Sequence, residues 1–141
     1  MSFPQKSALT MTAILVVVFG FYFALVLGPV AGTPAPARDF AFTALLILAG
    51  AVVVVLAAAT HIVLAIVFRR EVDAHDERDR LIDLRSTRVA AYILAAGVFG
   101  GIGLAMVQAD GFWIAQALIA ALVVAEIADG LTKLTLYRRG V

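Results

Sequence analysis

Four ionisable side chains lie inside apolar stretches of the chain, where a charge is costly unless it is paired or faces a cavity. They are His61, Glu126, Asp129 and Lys133. The last three are spaced i, i+3 and i+7, so a helix would place them along one face, and Asp129 with Lys133 has the i, i+4 spacing of an ion pair. We therefore predict an intramembrane polar cluster. Two interpretations stay open: a proton or substrate pathway, or interhelical hydrogen bonds with a snorkelling lysine.

A second chemically rich stretch is the charged run 69–88, which holds six acids and six bases. Pairs of opposite charge such as Asp76 and Arg80 have helical i, i+4 spacing, which predicts a solvated, salt-bridged helical extension. Leu81, Ile82 and Leu84 add an apolar patch that can pack on the bundle or dock a partner. The residues predicted to contact a cytoplasmic partner are Asp76, Glu77, Arg78, Asp79, Arg80 and Asp83.

Several cofactor classes are disfavoured by what the sequence lacks. The chain has no cysteine, which excludes disulfides, thiolate metal sites and thiol redox chemistry. Its histidines, His61 and His75, do not supply the paired axial ligands of a haem bundle. The acids of 69–88 match no known calcium or zinc spacing, and the glycine-rich run 100–103 lies inside an apolar segment rather than in a phosphate-binding loop. We predict no cofactor, no metal and no catalytic residue.

The composition indicates a membrane protein. Of 141 residues, 63% are hydrophobic and only 15% are charged, and the mean hydropathy is +1.03, whereas soluble domains carry about a quarter charged residues. Nearly the whole length is used by apolar segments, so residues 1–141 are predicted to form a single transmembrane domain. The net charge of +1 and the absence of a basic stripe argue against direct nucleic-acid binding.

Four apolar runs have the length of about 20 residues that a spanning helix needs. The first also exceeds the apolar core of a signal peptide, which favours a span over a cleaved leader. The Gly- and Pro-rich stretch 28–39 is predicted to end the first helix and form an external loop, because proline removes a helix donor. Asp76 is predicted to cap the third helix, and 108–111 to form a tight connection. The predicted transmembrane helices cover 8–27, 40–68, 76–107 and 112–137.

The basic residues predict the orientation of these helices. Ten of the eleven Lys and Arg residues lie at one side of the predicted spans, and Arg38 alone lies at the other. The positive-inside rule then places both termini and the connection 69–88 in the cytoplasm. The fold class is an all-α antiparallel bundle of four transmembrane helices, N-in and C-in.

Small residues are predicted to mediate helix packing in the third span, because helices in lipid need close backbone approach. Gly97 and Gly101 form a small-xxx-small pair, with Gly100 beside them. Packing within one chain and a homodimer seam are both compatible with this pattern.

Three short motifs carry a resemblance to a known group. Asp76-Glu77-Arg78-Asp79 leads with Ile82 into a span, Phe112-Trp113 opens the last span, and Tyr137-Arg138-Arg139-Gly140 closes it. Over most of its length the chain resembles a group of small uncharacterised bacterial four-helix inner-membrane proteins. The resemblance implies a bacterial inner membrane and no particular activity. Members of such groups are often encoded beside small helix-turn-helix regulators, which implies that the cytoplasmic loop and tail contact a regulator.

These observations predict a non-enzymatic protein of interaction or regulatory type that presents 69–88 to a cytoplasmic partner. The alternative is a small oligomeric transporter or proton-coupled carrier that uses His61, Glu126 and Asp129. A membrane enzyme using the loop carboxylates with a divalent metal ranks third. The expected partners are the lipid bilayer, a second copy in a homodimer and a cytoplasmic regulator.

Overall fold

The computed structural model describes residues 3–67 and 77–139, and these residues form four long helices and no strand. All four helices are long and apolar enough to cross a membrane. The predicted all-helical fold with four helices of membrane-spanning length is therefore confirmed. The helices are α1 (Phe3–Leu25), α2 (Ala35–Val67), α3 (Glu77–Met106) and α4 (Gly111–Arg139).

The connection between α1 and α2 is shorter than the predicted loop 28–39. After α1 the chain continues as a π-helical segment, Val26–Val30, which contains Pro29. The wider π turn has room for a proline ring that an α-helix interior would not tolerate. Pro36 lies in the first turn of α2, where a missing N–H costs little. The prediction that helical structure stops at Gly28 was wrong, because prolines at these two positions are compatible with a helix.

Two predicted boundaries cannot be compared in the same way. The predicted start of the third helix at Asp76 and the predicted end of the second at Phe68 lie outside the described residues.

The helices pack side by side in the order α2, α1, α4, α3. Extensive contacts join α3 to α4, α4 to α1, and α1 to α2. The two outer helices, α2 and α3, follow each other in sequence, but they have no extensive contact with each other. A smaller share of their spans is buried than in α1 and α4. The inner pair α1 and α4 therefore holds the assembly together.

One buried cluster fixes the inner pair near the end opposite the chain termini. Tyr22, Val26, Ala49 and Phe112 are its buried members. The hydroxyl of Tyr22 donates a hydrogen bond to Oε1 of Gln116 at 3.1 Å, which joins α1 to α4 in an apolar setting. The bond satisfies the hydroxyl of Tyr22 and Oε1 of Gln116, whereas Nε2 of Gln116 is buried without a hydrogen-bond partner.

The predicted tight connection between the third and fourth helices is present at 107–110. Gln108 ends α3 with a φ of 56°, the left-handed conformation that commonly closes a helix. Asp110 caps α4, because its Oδ1 accepts a hydrogen bond from the backbone N–H of Phe112 at 2.9 Å. That N–H and the guanidinium of Arg38 hold the pKa of the Asp110 carboxyl below its ordinary value of 3.8.

Arg38 links α2 to this cap. Its guanidinium lies 2.8 Å from Oδ2 of Asp110 and 4.6 Å from the ring centroid of Phe112. The rings of Phe42 and Phe112 also meet edge to face, with centroids 5.5 Å apart. These contacts tie the beginning of α2 to α4, although α2 otherwise packs on α1.

The glycines of α3 divide between two environments. A Cβ placed on Gly97 would collide with Cβ of Ala121, and one on Gly101 would lie 2.6 Å from a methyl group of Leu118, both on α4. A Cβ on Gly100 meets no atom within 4 Å. Gly97 and Gly101 therefore pack α3 on α4 within one chain, while Gly100 takes no part in that contact.

We predict that Gly97→Ala lowers the free energy of unfolding by about 1–3 kcal/mol, because the added methyl group overpacks a helix contact that includes backbone. Gly100→Ala is the matched control on the same helix. Alanine has the higher helix propensity and the site is open, so this change should be neutral or stabilising by up to about 1 kcal/mol. Unfolding of both variants in mixed micelles, followed by circular dichroism, provides the measurement. Equal effects at the two glycines would contradict the packing assignment.

Candidate functional site

The four predicted cluster residues all line one cavity, which we call the polar cavity. It has a volume of about 480 Å³ and lies at the end of the molecule that holds both chain termini. His61 reaches it from α2, whereas Glu126, Asp129 and Lys133 reach it from α4. The structure adds lining residues that the sequence did not place there, namely Ser7, Ala8, Met11, Thr12, Leu15, Asp83, Gly130 and Tyr137.

Lys133 is the centre of the ion pairs at this cavity. Its ammonium nitrogen lies 2.8 Å from Oδ2 of Asp129, the predicted i, i+4 partner on the same helix. It also lies 2.8 Å from Oδ1 of Asp83 on α3. The Lys133 and Asp129 side chains are 26% and 19% exposed, so water screens their interaction less than it screens a surface pair. One amine therefore bridges two helices.

Tyr137 provides a second link between the same two helices. Its hydroxyl donates a hydrogen bond to Oδ1 of Asp79 at 3.0 Å. Asp79 and Asp83 are one helical turn apart, so both carboxylates of α3 face α4. We call residues 77–88 the α3 extension. Its predicted solvated state is only partly observed, because one side of it is bonded to α4.

Two carboxyl groups at the cavity have unused hydrogen-bonding capacity. Oδ1 of Asp129 is buried and has no hydrogen-bond partner. Glu126 lines the cavity and, among the described residues, forms neither an ion pair nor a hydrogen bond. A buried acceptor without a partner is expensive, so Oδ1 of Asp129 calls for a donor or a positive charge. Glu126 is an exposed residue at the mouth of the same cavity.

His61 shares the cavity with these acids without bonding to them. Its Nδ1 lies 2.8 Å from the carbonyl oxygen of Ala57, one turn earlier on α2. Within the described part of the chain no hydrogen bond or ion pair joins His61 to Asp129. His61 and Asp129, which were predicted to lie close together, therefore line the same cavity but are not bonded to each other.

The wall of the cavity depends on a close crossing of α1 and α4. A Cβ added at Gly130 would collide with the hydroxyl oxygen of Thr12. That hydroxyl donates a hydrogen bond to the carbonyl oxygen of Ala8 at 2.8 Å, so the Thr12 side chain has a polar partner within α1. Glycine at 130, next to Asp129, therefore permits α1 to pack directly against the polar part of α4.

The side of the α3 extension that faces away from α4 has a different character. Ile82 and Ser86 are buried at 2% and 0% exposure, whereas Leu81 and Leu84 are 53% and 56% exposed. At about 100° per residue, Leu81, Leu84 and Arg88 lie opposite the buried side. We call this the outer face. Its exposed residues are Glu77, Arg80, Leu81, Leu84, Arg85 and Arg88.

The residues predicted for partner contact are thereby divided. Asp79 and Asp83 are bonded to α4, while Glu77, Arg78 and Arg80 are exposed. Asp76 and the rest of 69–76 lie outside the described residues. Asp83 was missed as a cavity residue because its spacing within the charged run fits local pairs equally well.

No group of three or more His, Asp or Glu side chains in the described ranges is arranged to hold a metal ion. Comparison of the chain with protein-family models, with curated proteins and with solved structures finds no match.

We predict that Lys133→Met lowers the free energy of unfolding by about 1–3 kcal/mol, because it leaves a partly buried carboxylate without its partner. Adding Asp129→Asn should recover part of the loss, since the two side chains are coupled. Arg80→Met, on the outer face, is the control and should have little effect. A double-mutant cycle in micelles measures the coupling, and additive losses would contradict it.

Proposed function

We propose that the chain is a multi-pass protein of the bacterial inner membrane, with both termini in the cytoplasm, that acts as an interaction or regulatory protein through segment 69–88. The orientation is supported by the bases. Lys133, Arg78, Arg80, Arg85 and Arg88 lie at the end that holds both termini, as the positive-inside rule requires of a cytoplasmic side.

The observation that carries the proposal is the segregation of charge on the α3 extension. Asp79 is bonded to Tyr137, and Asp83 is neutralised by Lys133. Three arginines and one glutamate remain on the outer face, around Leu81 and Leu84. Exposed leucines flanked by predominantly positive charge are typical of a docking surface.

A groove on this surface gives a partner a place to insert a side chain. It has a volume of about 290 Å³ and is lined by Glu77, Arg78, Leu81, Ile82 and Arg85. The chemistry favours a cytoplasmic protein with an acidic, partly apolar segment, in agreement with the regulator that the resemblance implies. Contact is expected through Arg80, Leu81, Leu84 and Arg85 rather than through Asp79 and Asp83.

The test places a photoreactive amino acid at Leu84 in living cells. We expect adducts with one soluble protein, and we expect Arg80→Glu combined with Arg85→Glu to abolish them by charge repulsion. The same label at Phe99, an exposed position on the apolar part of α3, is the control and should give no such adduct. Adducts formed only with lipid would contradict the docking proposal.

A second candidate function is a small proton-coupled carrier that uses His61, Glu126 and Asp129. The observation that favours it is their common cavity, within segments that are long and apolar enough to cross a membrane. Ionisable groups at such positions commonly form proton pathways.

For the carrier we predict proton flux into proteoliposomes under an imposed potassium diffusion potential, read from trapped pyranine. Glu126→Gln should lower the rate at least about tenfold, because an amide cannot carry the proton. Glu77→Gln changes a carboxyl group outside the cavity and should leave the rate unchanged. Equal rates in protein-containing and protein-free liposomes would rule out this function.

A further inference from the structure

The charges that line the polar cavity do not balance. Three carboxyl groups face it, those of Asp83, Glu126 and Asp129, against one amine and one imidazole. The amine of Lys133 is already shared between Asp83 and Asp129. Glu126 and the buried Oδ1 of Asp129 are left without a donor in the described residues. Among the described residues, a further positive charge is therefore what would balance these carboxyl groups.

The size and walls of the cavity identify the kind of cation. A volume of about 480 Å³ is in the range of small-molecule sites, about 300–1,000 Å³. Met11 and Leu15 give it an apolar wall on α1, and Tyr137 adds an aromatic side chain. A bare inorganic ion would leave these groups unused. An ammonium with an apolar substituent would contact both the carboxylates and the apolar wall.

We propose that the polar cavity binds a small monovalent organic cation, whose charge lies between Glu126 and Oδ1 of Asp129. The proposal names the ligand class for the site of the carrier candidate and does not depend on partner docking. It requires equilibrium binding only, so it can be tested apart from transport.

Lys133 gives the proposal a consequence with a definite sign. Its ammonium already neutralises Asp129, one of the two carboxylates that the ligand would contact. Lys133→Met should therefore strengthen cation binding, although it weakens the fold. A variant that merely damaged the cavity would weaken binding instead.

The experiment uses the full chain in phosphatidylcholine nanodiscs, which carry no net lipid charge, with benzyltrimethylammonium as the probe in isothermal titration calorimetry. Its uncharged carbon isostere, neopentylbenzene, has the same shape and controls for apolar partitioning. We expect saturable binding of the cation alone. Glu126→Gln and Asp129→Asn should each weaken it at least about tenfold, as for loss of a charge-assisted contact. Glu77→Gln, a matched change outside the cavity, should not.

A measurement on the unmodified chain guards against variants that fail to fold. An apolar carbodiimide should label Glu126, and mass spectrometry should show that bound benzyltrimethylammonium slows the labelling. Absence of saturable binding by the folded chain would overturn the proposal. So would equal binding of the isostere, or unchanged binding in both variants without protection of Glu126. Binding without proton flux would reject the carrier and keep the cation site, whereas flux without binding would do the reverse.

Discussion

The contact on which the terminal end of the molecule depends is the amine of Lys133 between Asp129 and Asp83. The i, i+4 pair with Asp129 lies within α4 alone, but the second carboxylate, that of Asp83, is 50 residues away in sequence and belongs to α3. The Lys133 and Asp129 side chains are only 26% and 19% exposed, so their charges interact more strongly than in bulk water, whereas Asp83 is 68% exposed. It anchors the α3 extension on α4, and the hydrogen bond from Tyr137 to Asp79 extends the anchor by one turn.

The same anchor divides the polar surface into two parts with different chemistry. Turning Asp79 and Asp83 toward α4 removes their charges from the opposite side of the helix, which leaves arginines around exposed leucines. On the inner side, Asp83 joins the carboxyl groups of α4 and makes the cavity rich in acids. A segment with nearly balanced charge in sequence thus yields one basic and one acidic surface, because a helix separates residues by face and not by order.

Local rules predicted the helices and part of the site, and they failed where the competing partners lie far apart in sequence. The spacing of Glu126, Asp129 and Lys133 was sufficient to place them on one face, and the depth of His61 brought it to the same cavity. Spacing could not decide whether Asp83 pairs within its own run or with Lys133, because both partners satisfy the same charge rule. Nor could it distinguish Gly97 from Gly100, since only the position of Ala121 makes one of them indispensable for close packing. The π-helical turn at Pro29 was missed because proline normally signals the end of a helix.

In the order α2, α1, α4, α3, the helix that carries the outer face packs directly on α4, which supplies most of the ionisable groups of the cavity. Lys133 on α4 contacts Asp129 in the cavity and Asp83 on α3, the helix whose opposite side carries the outer face. If a cation occupies the cavity beside Asp129, the attraction between Asp129 and Lys133 is weakened, and Lys133 depends more on Asp83. By thermodynamic linkage this effect is reciprocal. If the ligand weakens the Asp129–Lys133 pair by a given free energy, formation of that pair weakens ligand binding by the same free energy. A partner that displaces the α3 extension from α4 would then alter cation affinity, so the two proposed functions would be coupled through a single amine.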